Sequence, residues 1–357
     1  MGALRRRLTR AGLSGLLVTH LPNVRYLCGF TGSSAALAVT RLQARLFTDG
    51  RYKSQAEEEV QAADVEISAS PAAIAAVAWI AAQTAVTSVG FDPASTTVAE
   101  LARWKAALPA RLRRNLLTPL AAPLIETLRR VKDEAELNLM RKAALTGCRL
   151  FEHMLGFLRP GMPEIEVAAE LEHRARLLGA EGMSFETIVA AGKRSALPHG
   201  RATANPLPRR GFLTLDFGII LKGYCSDMTR TVFLGRPKGG ERSAYEAVLE
   251  AQQAAMNQVS AGVRCGDVDE AARGVLRREG LADAFTHSTG HGVGLEIHET
   301  PRIGAGQTNR LQAGMVITIE PGIYLPGRFG IRIEDMVAVT STGAEVLTPS
   351  PKALIEL

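Results

Sequence analysis

The clearest alternation of apolar and polar positions lies between residues 211 and 232, in GFLTLDFGIILKGYCSDMTRTV. Two β-branched and aromatic runs flank Leu221-Lys222-Gly223, which predicts a β-hairpin with Asp216 on one arm and Asp227 on the other. With a turn near Leu221 and Lys222, the two carboxylates lie roughly opposite each other, where Cβ atoms are about 4.5–5.5 Å apart. Carboxylates that close repel unless one is protonated or a cation lies between them, and a pair of metal ions could occupy that place.

The remaining pattern divides the chain into two regions. Residues 1–122 alternate apolar strands with helical stretches, which predicts an α/β domain with a mixed sheet. The predicted strands are residues 15–19, 35–40, 44–48, 64–68 and 88–91, and the predicted helices are residues 4–11, 51–60, 71–84 and 97–108. A proline-containing segment, residues 118–127, leads into an α+β domain over residues 123–357. That domain begins with a long helix over residues 133–158, where apolar positions recur every three or four residues.

The second region contains a weak internal repeat. Residues 161–179 align without gaps on residues 262–280, with a glycine at each end and an acid-Val pair near the start of each predicted helix. Phe185 and Phe285 follow the two helices at nearly the same distance and precede predicted strands. Two related halves would place a ligand site at their shared interface. A chance similarity between helix ends is the alternative.

Composition narrows the classes of protein and partner. A chain of 357 residues favours two domains, and 46% hydrophobic with 22% charged residues is typical of soluble globular proteins. The net charge is +6, but the basic residues are scattered and only 5% of residues are aromatic, which argues against a nucleic-acid partner. No apolar run reaches the ~18 residues of a membrane span. The four cysteines have no CxxC spacing, so we expect reduced thiols and a cytoplasmic protein.

Three further stretches place metal-binding side chains in strand or glycine-rich contexts. His291 lies in HSTGHGVGLEIHE, Glu320 in MVITIEPGIY and Glu334 in FGIRIEDMV. A carboxylate within a β-branched run is seldom buried unless it is paired or bound to a metal. With Asp216 and Asp227 these residues offer four carboxylates and one imidazole, a donor set that suits manganese, cobalt, zinc or iron. Each acid alone would more often be a solvated group at a strand end, but the five together predict a metal centre.

Several short motifs lie between residues 185 and 337: SALPHG, LDFG with CSDMTRT, HSTGHGVGLEIHE, ITIEPGIY and GIRIED. They closely resemble the proline-specific metallopeptidases of the pita-bread fold, namely prolidase (Xaa-Pro dipeptidase) and Xaa-Pro aminopeptidase. The resemblance implies a creatinase-like N-terminal α/β domain over residues 1–122. It also implies a pita-bread catalytic domain, with pseudo-twofold halves, over residues 123–357.

The resemblance further implies roles for the candidate metal ligands. Asp216, Asp227, His291, Glu320 and Glu334 would bind two divalent ions, with Asp227 and Glu334 bridging and with manganese favoured over cobalt, zinc or iron. Such ions lower the pKa of bound water and polarise a scissile carbonyl. Glu320 would shuttle a proton. The proline nitrogen carries no hydrogen, so its departure from the peptide requires protonation of a ring amine.

Other residues of the motifs would contact the substrate. By the same resemblance, His199 and His298 stabilise the oxyanion or hold the substrate, and Arg332 positions His298 or the substrate. Tyr324 and Phe185 are candidates for the pocket wall. An aromatic residue beside a strand is also a common core residue, so these two assignments depend on where their side chains point.

The sequence leaves dipeptidase and aminopeptidase activity open, with the dipeptidase slightly favoured. Arg302, in HETPR, stands where short prolidases carry an arginine that would bind the carboxylate of a C-terminal proline. In the opposite direction, GFTGSSAALAVT and LFTDGRY resemble aminopeptidase sequences. A methionine aminopeptidase and a non-catalytic peptide-binding member of the fold are further alternatives. The expected partner is a small peptide with proline in second position, and the resemblance suggests a homodimer without nucleic-acid or membrane partners.

Overall fold

A mixed six-stranded sheet forms the framework of the N-terminal unit. The computed structural model describes residues 1–357, which divide into two compact units, Met1–Arg129 and Arg130–Leu357. The strands of the first unit are β1 (Gly15–Val18), β2 (Ala35–Thr40), β3 (Ala44–Thr48), β4 (Asp64–Ile67), β5 (Val89–Phe91) and β6 (Leu117–Pro119). Their order is β4-β3-β2-β1-β5-β6, with β1 antiparallel to β2 and parallel to β5.

Helices cover both faces of this sheet. They are α1 (Gly2–Arg10), α2 (Leu21–Cys28), α3 (Lys53–Glu59), α4 (Ala72–Ala82), α5 (Val98–Ala107) and α6 (Glu126–Arg129). In β1, Leu16 packs in one apolar cluster with Leu4 and Leu8 of α1, whereas Leu17 packs in the other with Ile80 of α4. All four residues of β1 are therefore buried, as expected for a strand covered on both sides.

Helices α2 and α6 and strand β6 of the first unit were not predicted from its sequence. Helix α2 begins with a leucine and a proline and ends at Gly29, which has a φ of +85°. Its short length and early proline resemble a loop, although proline is well tolerated in the first turn of a helix. Strand β6 contains Pro119, which is compatible with a position at the edge of the sheet.

The second unit surrounds its strands with four long helices. The helices are α7 (Glu134–Phe157), α8 (Glu164–Leu177), α9 (Gly239–Gln258) and α10 (Cys265–Arg278). The strands are β7 (Gly182–Met183), β8 (Ile188–Ala191), β9 (Gly211–Phe217), β10 (Ile219–Leu221), β11 (Tyr224–Cys225), β12 (Met228–Leu234), β13 (Gly290–Gly292), β14 (Glu299–Ile303), β15 (Val316–Ile319), β16 (Gly322–Leu325), β17 (Phe329–Arg332), β18 (Asp335–Val339) and β19 (Ala344–Val346). The sheets run β12-β9-β8, β11-β10-β7, β14-β13-β15-β18-β19 and β16-β17. No helix of the structure is both long and apolar enough to cross a membrane.

Local sequence explains where the long helices begin and which faces they bury. Asp133 caps α7, and its side chain and that of Glu136 form a reciprocal capping box. Helix α9 was not predicted, although Tyr245, Val248 and Ala255 recur at helical spacing and are buried. These residues join α10 in the largest apolar cluster of the unit.

The internal repeat corresponds to two structurally related halves. Gly161 and Gly262 have φ angles of +91° and +92°, a conformation that glycine adopts without steric cost. The amide of Gly161 donates to Leu207 O at 2.8 Å, and that of Gly262 donates to Leu311 O at 2.8 Å. Helices α8 and α10 follow in equivalent places. The predicted pseudo-twofold organisation is therefore confirmed by matching backbone bonds as well as by matching residues.

The predicted hairpin exists, but its register differs from the expected one. Strand β9 pairs with β12, and β10 pairs with β11, so the turn is formed by Lys222 and Gly223, with φ angles of +50° and +81°. Asp216 faces Thr229, and the same register places Asp227 opposite glycine at position 218. The expectation that Asp216 and Asp227 face each other directly was wrong by two residues. The reason is that the tight turn lies one residue later than predicted.

This turn can be tested by replacing its glycine. Gly223→Ala should lower the free energy of unfolding by about 1–2 kcal/mol, because a Cβ disfavours the left-handed conformation. Gly274→Ala is the matched control in the middle of α10, where an added Cβ meets no atom within 4 Å. It should raise stability by about 0.5–1 kcal/mol. Urea unfolding of both variants gives the two values, and equal effects would contradict the turn geometry.

Candidate metal centre

Two antiparallel strand pairs bring four carboxylates to one cavity. Asp216 lies in β9 and Asp227 immediately before β12, whereas Glu320 follows β15 and Glu334 precedes β18. Because β15 and β18 are antiparallel, the last two side chains leave their strand pair at the same end. All four line a cavity of about 800 Å³ in the second unit. The structure thus collects residues that are more than a hundred positions apart in the sequence.

His291 adds an imidazole to these carboxylates. Its Nε2 lies 3.5 Å from Asp227 Oδ2 and 3.5 Å from Glu320 Oε1. Its Nδ1 lies 3.0 Å from Gly292 O, and since a carbonyl oxygen only accepts, Nδ1 carries the hydrogen. The Nε2 lone pair is then free for a metal. Donor atoms of Asp227, His291 and Glu334 all lie within 4.8 Å of one another, close enough to bind one ion.

Burial and mutual repulsion dominate the electrostatics of these groups. Burial raises the pKa of Asp227 and Glu334 well above the ordinary carboxylate range, and the neighbouring carboxylates raise both further. Burial also raises the pKa of Glu320 to about 8, against the opposing effect of Arg332. It lowers the pKa of His291 to about 4, so that the imidazole is neutral at pH 7.

This arrangement fits a divalent cation. A neutral imidazole and buried carboxylates are the protonation states and donors that such an ion requires. A cation would also offset the repulsion that otherwise keeps protons on Asp227 and Glu334. The residues present are therefore suited to the metal chemistry that the sequence predicted.

Arg332 holds part of the cluster in place. The buried guanidinium donates from Nη2 to Asp216 Oδ2 at 2.5 Å, and from Nε to Thr229 Oγ1 at 3.1 Å. The Thr229 hydroxyl donates in turn to Glu334 Oε2 at 2.7 Å. Arg332 was expected to position His298 or the substrate, but none of its hydrogen bonds goes to His298. It supports two carboxylates, because strand β17 lies beside β9 and β12. Arg332 also lines the cavity, so its role at the substrate stays a prediction.

The other predicted substrate residues divide into those that line the cavity and one that does not. His199, His298, Phe185 and Arg302 line it, and the rings of His291 and His298 lie 4.4 Å apart between centroids. Tyr324 was expected at the pocket wall, but it is outside the lining and only 6% exposed. Its hydroxyl accepts a hydrogen bond from Arg332 Nη1 at 2.6 Å.

The cavity also contains residues that were not predicted. His287 lines it, with Nε2 2.9 Å from the hydroxyl of Tyr324, and burial lowers its pKa to about 4. The signal was a second histidine four positions before His291 in the same motif. Glu186 and Arg201 form a 2.8 Å ion pair at the cavity surface, which no local motif indicates.

Comparisons with known proteins agree with this geometry. Residues 138–341 match the model of Metallopeptidase family M24, and residues 1–131 match the Creatinase/Prolidase N-terminal domain. The chain is 38% identical over 354 residues to "Uncharacterized peptidase YqhT" of Bacillus subtilis (strain 168), with 99% of each chain covered. Among solved structures, a Xaa-Pro dipeptidase from Bacillus anthracis has a TM-score of 0.95 and 40% identity, covering 100% of this chain and 98% of that one.

A second solved structure carries the alternative activity in its name. An X-Pro aminopeptidase from Thermotoga maritima MSB8 has a TM-score of 0.90 and 34% identity, covering 98% of this chain and all of that one. The predicted fold class, a creatinase-like domain followed by a pita-bread domain, is confirmed by these matches. The chain belongs to metallopeptidase family M24 and carries the Creatinase/Prolidase N-terminal domain.

Proposed function

We propose that this chain hydrolyses the peptide bond that precedes proline, using two divalent metal ions. The observation that carries the proposal is the convergence of Asp216, Asp227, His291, Glu320 and Glu334 on one cavity. The similarity to a Xaa-Pro dipeptidase and an X-Pro aminopeptidase supports proline specificity.

The five residues would hold the ions, and manganese would be the favoured metal. When bound, divalent ions lower the pKa of water and polarise a carbonyl. Cobalt, zinc or iron would suit the same donors. The neutral Nε2 of His291 and the carboxylates of the two strand pairs supply every donor from the second unit.

The side chains of the cavity then perform the proton transfers. Glu320 accepts the proton of the attacking water and delivers it to the proline nitrogen, which has no hydrogen of its own in the peptide. Burial raises the pKa of Glu320 to about 8 in the metal-free protein, and a bound cation would favour the ionised form that can accept the proton. His199 and His298 lie in the cavity wall, where they would hold the substrate or the oxyanion.

Between the two proline-specific activities, the position of Arg302 favours the dipeptidase. In the register of β13 and β14, Arg302 faces His291 directly, which places it beside the metal centre. Its guanidinium is exposed and has no hydrogen bond or ion pair within the chain. It is therefore available to bind the carboxylate of a C-terminal proline. A homodimer and a cytoplasmic location stay predictions.

Metal dependence is the first test. Asp227→Asn and Glu334→Gln should each lower kcat/KM on Ala-Pro by at least about 100-fold, because each removes a charged donor. Elemental analysis should find two ions per wild-type chain and fewer in the variants. Asp267→Asn, which changes an exposed acid on α10, is the control and should behave as wild type. Full turnover by the double variant after exhaustive chelation would falsify the proposal.

The pH dependence of the metal-free protein is the second test. Glu320 is ionised above about 4.5 when unfolded but keeps its proton up to about 8 when folded. The folded state thus binds more protons, and stability should fall as the pH rises from 6.5 to 8. Below 6.5, the lowered pKa values of His287, His291 and His298 act in the opposite direction.

Thermal unfolding of chelated protein measures this effect. We expect Tm to decrease by at least about 3 °C over that pH range. Glu320→Gln should reduce the slope because its side chain does not titrate, and saturating Mn²⁺ should reverse it. A slope that Glu320→Gln leaves unchanged would show that Glu320 does not keep its proton in the folded state.

Substrate length separates dipeptidase from aminopeptidase. Arg302→Met should raise KM for Ala-Pro by ~10–100-fold, since hydrogen bonds to a charged group contribute about 1.5–3 kcal/mol. KM for Ala-Pro-Ala-Ala, whose proline has no carboxylate, should change little. Arg209→Met, which alters an exposed arginine outside the cavity, is the control. Cleavage by wild type of only the longer peptide would establish the aminopeptidase instead.

A further inference from the structure

A buried carboxylate on α10 lies outside the cavity and holds one of its segments. Asp269 is 1% exposed. Its Oδ1 accepts hydrogen bonds from Thr289 N at 3.1 Å and from Thr289 Oγ1 at 2.8 Å. Its Oδ2 accepts from Arg273 Nε at 2.7 Å, one turn along the same helix. Both carboxylate oxygens of Asp269 thus accept hydrogen bonds from α10 itself or from the segment before β13.

Arg273 binds the residues that precede Thr289 to the same helix. Its guanidinium lies 4.3 Å over the ring of Phe285 and donates to Phe285 O at 3.2 Å and to His287 O at 2.5 Å. The segment from Phe285 to Thr289 is therefore bound to α10 by four side-chain hydrogen bonds, two from Arg273 and two to Asp269. Such charge-assisted bonds are stronger than neutral ones.

Backbone hydrogen bonds connect Thr289 and the residues after it to the metal centre. Its carbonyl accepts from the amide of Glu320 at 2.7 Å, immediately after β15. At Gly290 an added Cβ would lie 1.9 Å from Thr318 O, so the backbones of strands β13 and β15 are in direct contact. One residue later, His291 N donates to Thr318 Oγ1 at 3.1 Å. The backbones of Glu320 and His291 are thus located by a segment that Asp269 anchors.

We propose that Asp269 and Thr289 are positioning residues for the hydrolytic reaction, acting through the backbone of Glu320 and the segment that carries His291. Neither residue lines the cavity, so neither contacts the substrate. The proposal rests on the proposed function, because Glu320 is the group whose placement would limit proton transfer. Displacement of a reacting group by a fraction of an ångström is costly, which is why the supporting hydrogen bonds matter.

The other half of the unit also contains a buried acid that binds a segment of the cavity wall, but this acid lies at a different position in the repeat. Glu164, fully buried at the start of α8, accepts from Ala191 N, from Arg194 Nε and from both the amide and the hydroxyl of Thr203. The loop between these partners carries His199. In the alignment of the repeat, Glu164 corresponds to Cys265 and not to Asp269. A buried acid that anchors a cavity segment therefore occurs in both halves, at positions that the repeat does not relate.

The experiment compares three threonine variants of the full chain. Thr289→Val removes the hydroxyl that donates to Asp269 and keeps the volume, Thr289→Ser retains the hydroxyl, and Thr48→Val removes a buried hydroxyl bond to Ser34 O in the first unit. For each, kcat and KM on Ala-Pro, Tm, and the affinity for Mn²⁺ by titration calorimetry of chelated protein are measured. The Mn²⁺ titration reads the placement of the ligands independently of any substrate.

We expect Thr289→Val to lower kcat and weaken Mn²⁺ binding by ~10-fold or more while KM changes less than about threefold. Thr289→Ser should stay near wild type, and Thr48→Val should lose a similar amount of Tm with unchanged kcat and Mn²⁺ affinity. A Thr289→Val protein that behaves like Thr48→Val in kcat and Mn²⁺ binding overturns the inference. If the wild type binds Mn²⁺ but cleaves no proline peptide, the proposed function fails, and weaker Mn²⁺ binding by Thr289→Val still supports the positioning.

Asp269→Asn covers the case in which Thr289→Val does not fold. It keeps an oxygen that can accept from Thr289 and removes the charge that Arg273 pairs with. We expect a smaller loss of kcat and Mn²⁺ affinity than for Thr289→Val, again with KM nearly unchanged. Wild-type kcat and Mn²⁺ affinity in a folded Asp269→Asn protein would overturn the role of Asp269.

Discussion

Mutual repulsion between buried carboxylates is the constraint on which the catalytic unit depends. Burial raises the pKa of Asp227 and Glu334, and neighbouring carboxylates raise both pKa values further, whereas burial alone is the main cause of the raised pKa of Glu320. Burying anions without a counter-charge is unfavourable, so such a cluster persists only where the surrounding fold is stable enough to enforce it. A bound cation would convert the same repulsion into attraction.

The fold enforces this cluster by placing rigid strand pairs on its two sides. One pair, β9 with β12, presents Asp216 and Asp227, and the other, β15 with β18, presents Glu320 and Glu334. Side chains on paired strands have little freedom to move apart, because the ladder holds their backbones. The pseudo-twofold relation of the two halves explains why each supplies two acids.

Fixed positive charge and hydrogen bonds complete the support. Arg332 binds Asp216 and, through Thr229, reaches Glu334, so a single guanidinium stabilises carboxylates from both strand pairs. Asp269 and Thr289 hold the segment that leads to His291. The polar groups of the centre are thus oriented by hydrogen bonds from neighbouring side chains, an arrangement that reduces the reorganisation needed during a reaction.

The sequence by itself determined the fold class, the hairpin with Asp216 and Asp227 and the five candidate ligands, because periodicity and short motifs are local properties of the chain. Only the tertiary structure decided the register that sets Asp227 diagonal to Asp216, the partners of Arg332, and the place of Tyr324 outside the cavity lining. It also revealed the link from Asp269 through Thr289 to Glu320. These features depend on a turn shifted by one residue and on contacts between distant segments, and neither is encoded in the spacing of residues along the chain.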